Sequence, residues 1–135
     1  IGRQYILYAP EDAGRLLEVH RRGIIPDTLP HALFVLGRYA SGQQSDPLDL
    51  LPFLQAWPMG WPWSLCAFGA TEARCISAGI ALGGHARVGF ENNLLLPDGS
   101  VAPSNASLVA LACRSAELIG RKIAAKAEAS LLFLT

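Results

Sequence analysis

Trp63-Ser64-Leu65-Cys66-Ala67-Phe68-Gly69, then Thr71-Glu72 through Leu82, then Gly83-Gly84-His85-Ala86-Arg87-Val88-Gly89: this stretch decides the fold. Its first segment is a short apolar run ended by glycine, the pattern of a strand buried on both faces. The second has the length and composition of a helix. The third, His85 to Gly89, predicts another strand. Strand, helix and strand joined by short connections make a βα unit feeding a parallel sheet.

Working outward, the same alternation continues. Upstream, Ala32-Leu33-Phe34-Val35-Leu36 is a continuous apolar run ending at Gly37. Before it, Pro10-Glu11-Asp12 has the proline and acidic residues favoured at a helix start, and the helix runs to Arg21-Arg22 with Gly23 as its stop. Between the two apolar runs, Asp46-Pro47 can cap a helix through Leu48, Leu51 and Leu54. Pro52 must either kink that helix or mark its true start. Downstream, Pro97-Asp98-Gly99-Ser100 is a turn by composition. Ser104 caps a helix from Asn105 to about Ile119, closed by Gly120, and a last helical piece runs from Lys126 to the end. Three βα units cannot close a (β/α)8 barrel, which needs eight units and typically about 250 residues. Taken alone the pattern allows a small open sheet.

Chemistry concentrates after the third strand. Arg87 and Gly89 share one face of an extended segment, and Glu91 continues it if that geometry persists. A carboxylate there can bind a cation, and an arginine beside it can hold a substrate carboxylate through two parallel hydrogen bonds. The plain alternative is a salt bridge at a strand end. Gly37-Arg38 and Phe68-Gly69, the other two strand ends, bring no comparable cluster.

Gly83-Gly84-His85-Ala86-Arg87-Val88-Gly89-Phe90-Glu91-Asn92-Asn93 closely resembles the Gly-Gly-His-Val-Arg-Val-Gly-Leu-Glu-Asp-Asn signature of the beta-keto acid cleavage enzymes. Phe34-Val35-Leu36-Gly37, Trp63 to Gly69, Pro103-Ser104-Asn105-Ala106 and Gly120-Arg121-Lys122-Ile123-Ala124 resemble further segments of that family in order, so the likeness runs from Pro30 to Ala129. The resemblance implies that residues 1–135 are a single partial domain, the C-terminal half of a TIM barrel. It implies a zinc or other divalent metal site with Glu91 as one ligand, completed by a His-x-His pair on an early strand. It also implies acetyl-CoA as co-substrate of a small-molecule beta-keto acid, in Claisen and retro-Claisen steps giving acetoacetate and a new acyl-CoA. Arg87 is then expected to work with the residue at position 92 in removing a proton from the keto acid.

Two departures stand out. The family aspartate is replaced by Asn92, and an amide cannot take up a proton at neutral pH, though it can orient substrate. His20, His31 and His85 are isolated and form no His-x-His pair, so each reads as a structural histidine. These departures keep open a non-catalytic, barrel-derived binding or structural subunit, and other C–C lyase chemistry on CoA esters.

Composition narrows the remaining classes. Eleven basic residues balance 11 acidic ones, which gives no electrostatic case for nucleic acid or an anionic membrane. Hydrophobic residues make up 51% and charged residues only 16%, an excess that implies a covered surface, either by more of the same fold or by a homo-oligomer partner. No apolar run is long enough to span a membrane. Ile1 rather than Met stands first, with no charged, apolar leader before it, so processing or truncation is expected to have set the start. Cys66, Cys75 and Cys113 form no Cys-x-x-Cys pair and read as thiols in a reducing cytoplasm. Trp57, Trp61 and Trp63, interleaved with Pro58 and Pro62, could line an acyl or CoA groove but read more simply as packing or subunit-contact residues.

Overall fold

The computed structural model describes residues 2–131. Four parallel strands stand side by side in chain order: β1 (Gln4–Leu7), β2 (His31–Leu36), β3 (Trp63–Ala67) and β4 (His85–Ala86). Between them lie α1 (Pro10–Arg21), α2 (Leu50–Ala56) and α3 (Glu72–Ala81), followed by α4 (Asn105–Leu118) and α5 (Lys126–Leu131).

Strand order and helix placement together define the winding. Ala32, Phe34, Leu36, Leu65 and Ala67 pack with residues of α1, α2, α3 and α4 in one large core. Leu33, Val35, Cys66 and Phe68 point to the other face and form a separate, smaller cluster. Consecutive parallel strands with all packed helices on one face wind in a single direction, as in a segment of a (β/α)8 barrel. A doubly wound sheet would reverse its order and cover both faces with helices. The sheet is thus α/β and compatible with part of a barrel. Closure is not seen among the described residues.

Aromatic side chains fill the helix-side core. Phe34 stacks on Trp63 with centroids 5.3 Å apart, and meets Phe53 at 5.0 Å and the edge of Trp57 at 6.0 Å. The tryptophan-rich loop therefore serves packing, with Trp61 set edge-on to His20 at 5.1 Å. This core also explains the glycine pair before β4. A Cβ on Gly84 would come within 2.1 Å of the Trp63 ring, and Gly83 has φ +99°. Arg121 fastens the same corner, donating from Nη1 to the carbonyls of Ile80 and Gly84, both at 2.6 Å, and from Nη2 to that of Gly83 at 3.0 Å.

Several expectations are corrected. A fourth strand, β1, precedes the three expected; only Leu7 in it is buried, so its apolar signal is weak. β4 is two residues long rather than running to Gly89. The Arg87 amide still bonds to the Leu65 carbonyl at 2.9 Å, but the chain then turns away at Gly89, whose φ of +153° suits glycine. The single helix expected from Asp46 is a 3-10 turn, Pro47–Asp49, followed by α2. Pro52 lies in the first turn of α2, where a missing N–H costs nothing. Asp46 and Ser104 cap as expected, accepting from Leu48 N and Ser107 N. The last helix spans Lys126–Leu131, and the expected continuation lies outside the described residues.

Candidate active site

The loops after β2, β3 and β4 meet at the C-terminal ends of the strands, around a cavity of about 160 Å³ on the helix-free face. Arg87, Glu91 and Asn92 form one wall of it, Cys66 and Phe68 its floor, and Val35 and Arg38 the opposite side, with Ile6 and Tyr8 at the rim. The motif's three polar residues are therefore brought together. Arg87 Nη2 donates to Glu91 Oε2 in a close ion pair, with the Glu91 side chain 73% exposed and that of Arg87 37% exposed. Asn92 is buried.

The loop that carries these groups is pinned from behind. Asn92 N and Asn93 N both donate to the Gly89 carbonyl, at 2.9 and 3.2 Å, closing a tight turn. Asn105 Oδ1 accepts from Phe90 N at 2.8 Å, and Asn93 Oδ1 accepts from Leu95 N at 2.9 Å. Asn93 Nδ2 donates to Glu72 Oε2 at 3.0 Å. Glu72, in the first turn of α3, is 2% exposed, and burial pushes its carboxyl above the usual range against the pull of Asn93 and the Gly89 peptide. It lies on the helix side of the sheet, so it holds the loop without facing the cavity. No local pattern marks this pairing, because Glu72 and Asn93 meet only through the topology.

The loop after β2 is fastened just as firmly. Ser45 N and Oγ both donate to the Phe68 carbonyl, at 3.1 and 2.8 Å, and the Cys75 thiol donates to Ser45 Oγ at 3.3 Å. A Cβ at Gly37 would strike the Gln44–Ser45 backbone at 2.9 Å, and one at Gly69 would strike Gln43 O at 2.6 Å. Arg38 is held by this loop with its guanidinium 5.1 Å from the Phe68 ring centroid. The strand end at Gly37-Arg38, which brought no cluster by sequence, thus adds a second cation to the mouth.

Cys66 does not act as a nucleophile here. Burial is the main force raising its thiol to about 11, opposed by Arg87, so it stays protonated at neutral pH. Metal chemistry meets a plain shortage of ligands. Among the described residues no group of three His, Cys, Asp or Glu side chains could hold a metal ion. His31 and His85 lie at the other end of the strands, where His31 Nε2 and Ser64 Oγ are 2.7 Å apart and the two rings 5.9 Å apart. His20 is on α1, its Nε2 2.9 Å from the Asp27 carbonyl. Glu91 therefore has too few partners of these types among the described residues for a tetrahedral site.

A sequence profile described as beta-keto acid cleavage enzyme matches residues 1–133. The chain belongs to the beta-keto acid cleavage enzyme family. Among curated members, it is similar to a 3-keto-5-aminohexanoate cleavage enzyme of Fusobacterium nucleatum, 34% identical over 113 residues that make up 84% of this chain and 40% of that protein. The enzyme of the same name from Acetoanaerobium sticklandii is 34% identical over 99 residues, 73% of this chain and 36% of its own. A 3-oxoadipate:acetyl-CoA acetyltransferase of Cupriavidus necator is 36% identical over 70 residues, 52% of this chain and 25% of its own. The matched part of the chain thus spans about two-fifths or less of each of these family members. No helix among the described residues is long and apolar enough to cross a membrane.

Proposed function

We propose that this chain contributes the C-terminal wall of the active site of an enzyme that exchanges the acyl group of a beta-keto acid with acetyl-CoA, giving acetoacetate and a new acyl-CoA. The observation that carries the reading is the convergence of Arg87, Glu91 and Asn92 on one cavity at the strand ends, in a member of this family. Arg87 presents a planar fork that matches a carboxylate, and it binds the acid of the substrate. Asn92 can donate to one oxygen of the substrate and accept at another polar group, but takes no proton. The proton acceptor is therefore a group outside this mouth. Glu91 is one carboxylate donor to a divalent metal whose other ligands lie outside the described residues of this chain. The assembly is a homo-oligomer working in the cytoplasm.

The test incubates the longest natural polypeptide that contains this chain with acetyl-CoA and a panel of beta-keto acids, and reads new thioesters by mass spectrometry. Acyl exchange is expected, with Arg87→Ala lowering kcat/KM at least a hundredfold while leaving bound metal in place, and Glu91→Gln abolishing metal binding. Metal fully retained in Glu91→Gln would sink that assignment. The second reading, a non-catalytic binding or structural subunit, rests on Asn92 and on the single metal donor. Absence of exchange with every acid in the panel would favour it.

A further inference from the structure

Among the described residues that line the mouth, Arg38 is a charged side chain to which the proposed reaction gives no role. Its guanidinium lies over Phe68, a residue of the cavity floor, and it makes no ion pair among the described residues. The other arginine of the cavity, Arg87, already has Glu91. A guanidinium on an aromatic face keeps its N–H edge free for an anion while its position is fixed. The loop behind it is held by Ser45 and the glycines at 37 and 69, so the position is built before any ligand arrives.

The two cations stand on opposite sides. Arg38 follows β2 and Arg87 follows β4, with β3 between them. Two strand spacings place the backbones about 10 Å apart. With both side chains reaching inward, that gap suits a short chain with an anion at each end.

We propose that Arg38 anchors a second negative charge of the ligand, so that the keto acid taken by this site carries an anionic group, such as a carboxylate, at the end remote from its reacting acid. This rests on the acyl-exchange reading for the word keto acid, but the anchor itself does not. The same chemistry could come from the phosphates of CoA, and the experiment separates the two sources.

The probes are unreactive: adipate, with two carboxylates, and hexanoate, with one, each titrated calorimetrically into the longest natural polypeptide that contains this chain, without CoA, and CoA titrated alone. Adipate is expected to bind at least tenfold more tightly than hexanoate. Arg38→Met should abolish that ratio while leaving hexanoate affinity within threefold, and Arg38→Lys should recover part of it. Arg38 is exposed, and circular dichroism checks that each variant is folded. Absence of adipate binding, equal affinity for the two acids, or an unchanged ratio in Arg38→Met would overturn the proposal. So would a tenfold loss of CoA affinity in Arg38→Met without any preference for the diacid. A diacid preference that depends on Arg38, in a protein that exchanges no acyl group, would uphold the anchor and count against the acyl-exchange reading alone.

Discussion

Position 92 separates what this mouth can bind from what it can catalyse. An amide there is sterically close to a carboxylate but cannot accept a proton, and general base catalysis is worth about 10²- to 10⁴-fold. With the proposed proton acceptor outside the mouth, Asn92→Asp is expected to change acyl exchange by less than about tenfold, measured as kcat with saturating acetyl-CoA. A larger rise, within the range that a general base supplies, would mean that no acceptor outside the mouth serves proton removal and that the amide had left the site without its base. Glu72 makes a second prediction at this scale. Burial holds its folded pKa above the unfolded value of 4.5, so the folded state keeps a proton that the unfolded state loses. Stability from this group is full below pH 4.5 and falls as pH rises through the window above it. His85 acts in the opposite sense, its pKa lowered from 6.5 by burial and by Arg121, so that stability is lost as pH drops below 6.5. That term is common to wild type and Glu72→Gln and cancels in their difference. Urea unfolding at a series of pH values should show Glu72→Gln losing less stability than wild type as pH rises above 4.5. Parallel curves would mean that Glu72 is not buried as described.

Elements were legible where one interaction dominates. The runs at 32–36 and 63–67 stand out because both faces of the central strands are covered and every position is apolar or small. The β1 strand carries only a weak apolar signal because it lies at an edge and alternates, with Gln4 and Ile6 on the helix-free face and Leu7 on the core. The expected β4 is too long because Val88 and Gly89 look like strand continuation, whereas the backbone turns away at Gly89. In the site, Arg87, Glu91 and Asn92 were visible because they share one short motif; Arg38, Glu72 and Asn105 were not, since their partners are 15 or more residues away and only folding brings them near. The glycine pair gives the sharpest element-scale test. Gly84→Ala drives a methyl into the Trp63 ring, which is itself stacked on Phe34, and overpacking of this kind costs about 1–3 kcal/mol. Ser104→Ala removes a cap from α4 and costs about 1 kcal/mol. Denaturant midpoints measured side by side should rank Gly84→Ala as the more damaging whenever the aromatic stack cannot shift.

At the largest scale the described residues form a sheet with two unlike faces, whose outer strands β1 and β4 are each paired on one side among those residues. One face carries the helices and the aromatic core, and the other holds the mouth at one end; a larger cavity of about 600 Å³ wraps round the outer edge of β4, between Ala112, Cys113 and Ala116 of α4 and Gln4, His31, Ser64 and His85 at the start of the strands. Every residue of β2 and β3 is buried and each of these strands is paired on both sides, while β1 and β4 are each paired on one. Amide exchange follows the cost of opening, which is greatest where ladder and burial coincide. Amides of Phe34–Leu36 and Leu65–Ala67 are therefore expected to exchange about 100-fold more slowly than those of Tyr5, Ile6 and Ala86 in the isolated chain. The comparison is informative because the central ladders are complete within this chain, whereas the edges depend on what lies beside them. Equal protection at Ala86 and Leu65 would require another strand on the free edge of β4, from a second copy or from a longer polypeptide. Protection at that edge which vanishes on dilution would identify the second copy, and protection independent of concentration would identify the same chain.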